Sequence, residues 1–101
     1  KINPEIIENK IRPHMKGRVI VTGKKDPVLG EKVVMAIELK DSGNPEGIRI
    51  VIGKSGLERH EKPREFYFVD FFPESSSGKI LRRKLFEKIN AMKGIAWEDL
   101  D

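Results

Sequence analysis

The spacing of apolar residues constrains the fold of this chain more than any other feature, because the spacing changes along the sequence. Ile7, Ile11 and Met15 recur at helical intervals near the N-terminus. Residues 32–39 are mostly apolar, and residues 66–71 are rich in aromatic side chains, with Phe66 and Phe68 alternating with Tyr67 and Val69 as in a strand. Because both kinds of segment are mixed within 101 residues, the chain is predicted to form one compact α+β domain with a modest core.

The first helix has a clear starting sequence. Asn3 can cap the helix with its side chain, Pro4 suits the first helical position, and Glu5 lies near the positive end of the helix dipole. Pro13 is expected to end or bend this helix, since proline lacks the N–H that a helix interior needs.

Two strands and a second helix are predicted next. Residues 18–22 are β-branched after the first, and the turn-rich residues 26–30 separate them from the apolar strand at 32–39. A polar connection at 41–47 contains Asn44-Pro45-Glu46, which repeats the chemistry of a helix start. Residues 48–55 fit either element, because three isoleucines alternate as in a strand while four side chains share a helical face. We expect a helix there.

The last third of the chain holds an aromatic strand and a basic helix. The strand at 66–71 is expected in the core, and Leu81, Leu85, Ile89 and Met92 then recur every three to four residues in an amphipathic helix. The tail with Trp97 could pack back onto the domain or fray. The whole pattern predicts about three main strands, in a mixed or antiparallel sheet, flanked by three helices.

Between the aromatic strand and the basic helix lies a serine-rich loop that ends in one lysine. The sequence of residues 73–85 is PESSSGKILRRKL. Serines and Gly78 add hydroxyl donors, little bulk and a permissive backbone, so the loop is expected to be flexible and open to an anion. Lys79 would meet that anion as a point charge.

The composition favours some classes of binding partner but does not identify a particular partner. The chain has 20 Lys and Arg against 16 Asp and Glu, a net charge of +4, which favours phosphate-bearing partners. It has no cysteine, so it has no disulfide or thiol nucleophile, and a reducing compartment such as the cytoplasm is expected. No apolar run approaches the roughly 20 residues of a membrane span.

The chain begins at Lys1 with helix-start signals directly after it, and we interpret it as a fragment of a larger protein.

Several other kinds of site are disfavoured by the sequence. Neither Gly53-Lys54 nor Gly78-Lys79 has the second glycine that a nucleotide-binding phosphate loop requires. His14 and His60 lack partners at metal-ligand spacing, so no metal site is predicted. No histidine is directed at the serines of the loop, and spacers are their favoured role rather than nucleophiles. The basic residues of the last helix could follow a nucleic-acid backbone or form a solvated face, and no stacking or recognition signature favours the first.

The order of four motifs resembles one family. The motifs are a helix start KINP, then VIVTGKKDPVLGEKV, then KPREFYFVD, then FPESSSGKILRRKL. Together they resemble the small C-terminal domain of adenylate-forming enzymes, the superfamily of acyl- and aryl-CoA synthetases, luciferases and peptide-synthetase adenylation domains. The CoA-ligase branch, including the o-succinylbenzoate type, is the more similar. The resemblance covers residues 1 to about 90 and implies that residues 1–101 are the mobile lid domain of such a ligase.

The resemblance also implies roles for individual residues. Lys79 falls on the catalytic lysine of the family, which assists formation of the acyl adenylate from ATP and a carboxylic acid, and Ser77 and Gly78 support the loop around it. Lys54, Arg82 and Arg83 are candidates for the phosphates of CoA. The large N-terminal domain would bind ATP, the acid and Mg²⁺, and Lys1 would lie just beyond the hinge about which the small domain rotates. The alternative hypothesis is a small basic module that binds nucleic acid or another polyanion.

Overall fold

The structure is a computed structural model that describes residues 2–40 and 47–100. The predicted helix start at Asn44-Pro45-Glu46 and the predicted hinge neighbour Lys1 lie outside the described residues. The elements are, in chain order, α1 (Pro4–Ile11), β1 (Val19–Asp26), β2 (Gly30–Glu38), α2 (Ile48–Lys54), β3 (Glu65–Val69), α3 (Arg82–Asn90) and β4 (Ile95–Ala96). Short 3₁₀ turns occupy Arg12–His14, Arg59–Glu61 and Trp97–Asp99.

The strands form one mixed sheet in the order β1-β2-β3-β4. The first and last pairs are antiparallel, and β2 pairs with β3 in parallel. A parallel pair needs a crossover connection, and α2 lies in that connection. The predicted α+β class with three helices is confirmed. About three main strands were predicted, and the sheet has four within the described residues. The additional strand, β4, has only two residues and pairs with Glu65 and Phe66 of β3.

Helices cover both faces of the sheet. One core contains side chains of α1 and α2, with alternate residues of the strands, and it includes Ile7, Ile11, Val21, Met35, Ile52 and Phe66. The other core lies against α3 and includes Ile20, Ala36, Tyr67, Phe72, Leu85 and Ile89. Because β2 lies inside the sheet and is covered on both faces, all of its residues from 33 to 38 are buried. This explains the continuous apolar run of that strand.

The boundaries of the strands differ from the prediction, and β2, for example, begins at Gly30 rather than at residue 32. β1 continues to Asp26 rather than ending at Thr22, because β1 and β2 form a hairpin. The Asp26 carboxylate accepts hydrogen bonds from the N–H groups of Val28 (3.0 Å) and Leu29 (2.7 Å), which closes the turn. β3 ends at Val69, and Phe71 lies outside the core with 59% of its surface exposed. The prediction that residues 66–71 form one buried strand was therefore wrong at its C-terminal end.

The predicted helices are present. Asn3 caps α1 by accepting a hydrogen bond from the Ile6 N–H at 3.4 Å, and Pro13 lies in the 3₁₀ turn that follows. α2 confirms the helical interpretation of residues 48–55, with Ile52 buried and Ile50 62% exposed. The tail packs back, since the ring of Trp97 lies 6.2 Å from that of Phe66. None of the helices in the described ranges is long and apolar enough to cross a membrane.

Candidate functional site

Residues 73–81, which we call the serine loop, form a turn closed by backbone hydrogen bonds. Glu74 and Ile80 form an antiparallel bridge across the base of the loop. Below it the Leu81 N–H donates to the Pro73 carbonyl at 2.8 Å, and above it the Ser75 N–H donates to the Lys79 carbonyl at 2.8 Å. The backbone of Lys79 is therefore fixed relative to the base of the loop.

Ser75 organises the tip of the serine loop. Its hydroxyl accepts a hydrogen bond from the Lys79 N–H at 3.2 Å and lies 3.0 Å from the hydroxyl of Ser77. Its carbonyl accepts from the Gly78 N–H at 2.9 Å. Gly78 has a φ of 85°, in the left-handed region that side chains with a Cβ rarely adopt. The two predicted support residues, Ser77 and Gly78, thus belong to one tight turn beside Lys79.

We expect Gly78→Ala to destabilise the purified chain by about 1 kcal/mol, because alanine is strained at a positive φ. Urea denaturation would measure this change in the free energy of unfolding. Gly53→Ala is a matched control, since Gly53 lies in α2 without a positive φ and has open space where the added methyl group would lie. That control should be neutral or stabilising by roughly 0.5 kcal/mol. Equal losses in both variants would contradict the role of Gly78.

The side chain of Lys79 extends from this turn into solvent. The residue is exposed, and within residues 2–40 and 47–100 its ammonium group forms no ion pair or hydrogen bond. A buried or permanently paired lysine could not be presented to a substrate held elsewhere. The geometry thus combines a fixed backbone with a free cation.

An arginine holds the segment that leads into the serine loop. The Arg18 guanidinium donates from Nε to Glu38 Oε1 and from Nη2 to Glu38 Oε2, both at 2.7 Å. Nη2 also lies 2.6 Å from Glu74 Oε2. Glu38 Oε2 accepts in addition from the Phe72 N–H at 2.6 Å. The start of the loop is thus tied to the end of β2.

The charges of this network support each other. The hydrogen bonds from Arg18 lower the pKa of the Glu38 carboxyl below its ordinary value. Burial raises this pKa, and the hydrogen bond from the Phe72 N–H lowers it again. The same contacts with Glu38 and Glu74 raise the pKa of Arg18. Glu38 is 6% exposed, and a carboxylate so deeply buried needs such partners to remain ionised. Both the carboxylate and the guanidinium are therefore charged in the folded chain.

A second carboxylate holds the segment that leaves the serine loop. Arg82, the first residue of α3, donates to both oxygens of Glu8 at 3.2 Å. Glu8 is 2% exposed and also accepts from Arg12 at 3.0 Å and from the Val21 N–H at 2.9 Å. Because β1 is an edge strand, some of its N–H groups point away from β2, and Glu8 satisfies one of them. α1, β1 and α3 are joined at this carboxylate.

The three predicted phosphate contacts are not brought together by the fold. Arg82 is engaged by Glu8, whereas Arg83 is exposed and forms no hydrogen bond, ion pair or ring contact within the described part of the chain. Lys54 is exposed at the end of α2, on the opposite face of the sheet from α3. His14 and His60 are exposed as well.

Sequence reasoning missed the residues that hold the serine loop in place. The motifs point to neither Arg18 nor Glu38, and they suggest for Ser75 only the role of a spacer or nucleophile. One signal was present, since Glu38 ends a run of five apolar residues, where a buried acid requires a partner. The partner itself could not be deduced, because Arg18 is 20 residues away and Phe72 is 34 residues away.

Comparisons with known proteins agree with the motifs. The chain is 38% identical over 91 residues to an acetyl-coenzyme A synthetase of Bacillus subtilis, a match that covers 84% of this chain and 16% of the relative. It is 32% identical over 80 residues to a 4-chlorobenzoate-CoA ligase of a Pseudomonas species, which covers 77% of this chain and 15% of that protein. The chain thus spans about one sixth of the length of these curated relatives.

A solved structure shares the fold. The o-succinylbenzoate-CoA synthetase of Bacillus subtilis, solved with a product analogue, superposes with a TM-score of 0.67 at 23% identity, over 92% of this chain and 18% of that one. No family model matches the chain. The sequence relatives and the shared fold confirm the resemblance that the motifs predict. The chain is a relative of the C-terminal region of AMP-binding acyl- and aryl-CoA synthetases.

Proposed function

We propose that this chain is the C-terminal domain of an ATP-dependent acid-thiol ligase, which joins a carboxylic acid to CoA through an acyl adenylate. In this proposal residues 1–101 form a lid over the active site of a large N-terminal domain of the same protein. The similarity to acetyl- and 4-chlorobenzoate-CoA ligases supports the class, and the small share of their length supports the role of a part. ATP and CoA would be substrates, and Mg²⁺ would be held through the N-terminal domain.

The free ammonium group of Lys79 is the observation that carries this proposal. When a carboxylate attacks the α-phosphate of ATP, negative charge develops on the phosphate oxygens and on the departing pyrophosphate. A cation placed there in a site that excludes water stabilises that charge more than it stabilises the ground state. Lys79 suits this role because its backbone is fixed by the serine loop while its side chain remains unpaired among the described residues.

The second half of the proposal is a change of domain position. After the adenylate forms, the small domain rotates about a hinge, which withdraws Lys79 and lets the CoA thiol attack the adenylate. The serine loop is tied to the body of the domain at both ends, through Arg18 and through Arg82. Lys79 would therefore move with the whole domain rather than by bending of the loop. Of the CoA-phosphate candidates, Arg83 and Lys54 are the freer, because Glu8 engages Arg82.

The full-length protein provides the test. We expect it to release pyrophosphate only when ATP, Mg²⁺ and a suitable carboxylic acid are present, and to release AMP and form the acyl-CoA when CoA is added. A panel of short aliphatic and aromatic acids would be assayed. Deletion of residues 1–101 should abolish adenylation, and residues 1–101 alone should catalyse neither step. Turnover of ATP with an acid by residues 1–101 alone would contradict the proposal.

The alternative, a polyanion-binding module, predicts a different result for the same chain. Titration of residues 1–101 with an oligonucleotide at two ionic strengths would reveal tight, salt-sensitive binding if the basic face of α3 followed a phosphate backbone. We expect only weak binding, because Glu8 partly neutralises Arg82 and the one exposed ring beside the basic cluster in the described part of the chain, that of Phe71, is already in contact with Lys88, whose ammonium nitrogen lies 5.0 Å from its centre. Oligonucleotide binding combined with inactivity of the full-length protein towards ATP and acids would favour the alternative.

A further inference from the structure

The contact between Arg18 and Glu74 lies directly before the turn that carries Lys79. We infer that Arg18 is a positioning residue for adenylate formation, which sets the location of the Lys79 ammonium group by holding Glu74 and the Phe72 backbone against the end of β2. This inference rests on the proposed function of Lys79. It assigns a task in adenylation to the charged network of Arg18, Glu38 and Glu74.

The path from Arg18 to Lys79 consists of short steps. Arg18 Nη2 lies 2.6 Å from Glu74 Oε2, and Glu74 precedes Ser75 in the chain. Two hydrogen bonds join Ser75 to Lys79. The Ser75 N–H donates to the Lys79 carbonyl at 2.8 Å, and the Ser75 hydroxyl accepts from the Lys79 N–H at 3.2 Å. A displacement of Glu74 would therefore be transmitted to the backbone of Lys79.

The other end of the network is anchored in the sheet. Glu38 is the last residue of β2, an inner strand, and only 6% of its surface is exposed. Arg18 contacts Glu38 through two nitrogens, which fixes the plane of the guanidinium as well as its position. The guanidinium carbon also lies 5.7 Å from the centre of the Phe72 ring. An arginine held in this way can orient Glu74, whereas a lone surface ion pair would not.

The serine loop has one side-chain anchor at its start, Arg18 on Glu74, and another directly after its end, Arg82 on Glu8, and Ile80 packs against the core beside α3. The bridge between Glu74 and Ile80 closes the base of the loop but does not set its angle to the sheet. The contacts of Arg18 with Glu38 and Glu74 tie the start of the loop to the end of β2. Small misplacements of a group that stabilises a transition state lower the rate considerably, so a change at Arg18 should be seen in adenylation.

Adenylation and thioester formation by the full-length protein would be measured separately for Arg18→Ala and Glu74→Ala. We expect each variant to lower the adenylation rate by about tenfold, while thioester formation from a supplied acyl adenylate changes by less than about twofold. Glu74→Ala removes a side chain that is 39% exposed, so it tests the inference even if Arg18→Ala fails to fold. Glu87→Ala, at an exposed acid of α3, is the matched control and should leave both rates unchanged.

A double-mutant cycle with Lys79 separates positioning from general destabilisation. If Arg18 and Glu74 act through Lys79, then Glu74→Ala should have no further effect on adenylation once Lys79→Ala is present. The inference would be overturned if Glu74→Ala lowered the adenylation rate by the same factor with and without Lys79→Ala. It would also be overturned if Arg18→Ala or Glu74→Ala slowed adenylation and thioester formation equally. These outcomes differ from a failure of the proposed function, in which Lys79→Ala alone would leave adenylation unchanged.

Discussion

Substitution of Lys79 by alanine in the full-length protein is expected to lower the rate of adenylate formation by about 10³-fold, which corresponds to about 4 kcal/mol of lost transition-state stabilisation. The reason is that alanine offers no charge to the carboxylate and phosphate oxygens as the bond to pyrophosphate breaks. Exchange of labelled pyrophosphate into ATP in the presence of the acid would measure this step.

Thioester formation should survive the same substitution. When the acyl adenylate is supplied with CoA, we expect the Lys79→Ala rate to stay within about threefold of the unchanged protein, because in the proposed function the small domain would by then have rotated and Lys79 would no longer face the substrate. Lys84→Ala, at an exposed lysine of α3, is the control for loss of a positive charge. Comparable losses in both half-reactions would refute the division of labour between the two domain positions.

Substitution of Glu8 by alanine is expected to have the largest effect on stability, about 2 to 3 kcal/mol in the free energy of unfolding. Glu8 is 2% exposed and accepts hydrogen bonds from two arginines and from the Val21 N–H. Its removal leaves the Val21 N–H on the strand edge without an acceptor and frees Arg82 at the start of α3. Urea denaturation of the purified chain would measure the change.

Glu5 provides the comparison for that measurement, because it is an exposed acid on the same helix. Glu5→Ala removes only a favourable interaction with the helix dipole, which is worth roughly 0.5 kcal/mol. If Glu8→Ala and Glu5→Ala destabilised the chain equally, the carboxylate of Glu8 would not be the junction between α1, β1 and α3 that the contacts indicate.

Much of the fold could be predicted from local patterns, because most elements are encoded by adjacent residues. The cap at Asn3 and the helical spacing in α3 are local signals, and both helices are present. β4 was missed, because two residues have no period and their pairing depends on Glu65 and Phe66, about thirty positions earlier in the chain. The length of β1 was underestimated for a related reason. Residues 23–26 carry little strand pattern and become a strand by pairing with β2 in the hairpin.

The residues of the candidate site also include some that a local motif predicts and some that only long-range packing brings together. Lys79, Ser77 and Gly78 could be selected from a contiguous motif, and the structure places them in one turn. The residues that hold that turn come from distant positions, since Arg82 meets Glu8 across 74 residues and Glu38 meets Phe72 across 34. Such pairs depend on how α1, β2 and the serine loop pack together. No spacing rule in the sequence could have identified them.

The accessibility of the Lys79 amine in the full-length protein tests the central claim most directly. Lysine acetylation by a small reagent, followed by mass spectrometry, would compare the protein alone, with a non-hydrolysable ATP analogue and the acid, and with an adenylate analogue and CoA. We predict that Lys79 is protected only in the second state, while Lys84 reacts equally in all three. Equal labelling of Lys79 in all three states would contradict the claim that the small domain carries this amine into the adenylation site and out again.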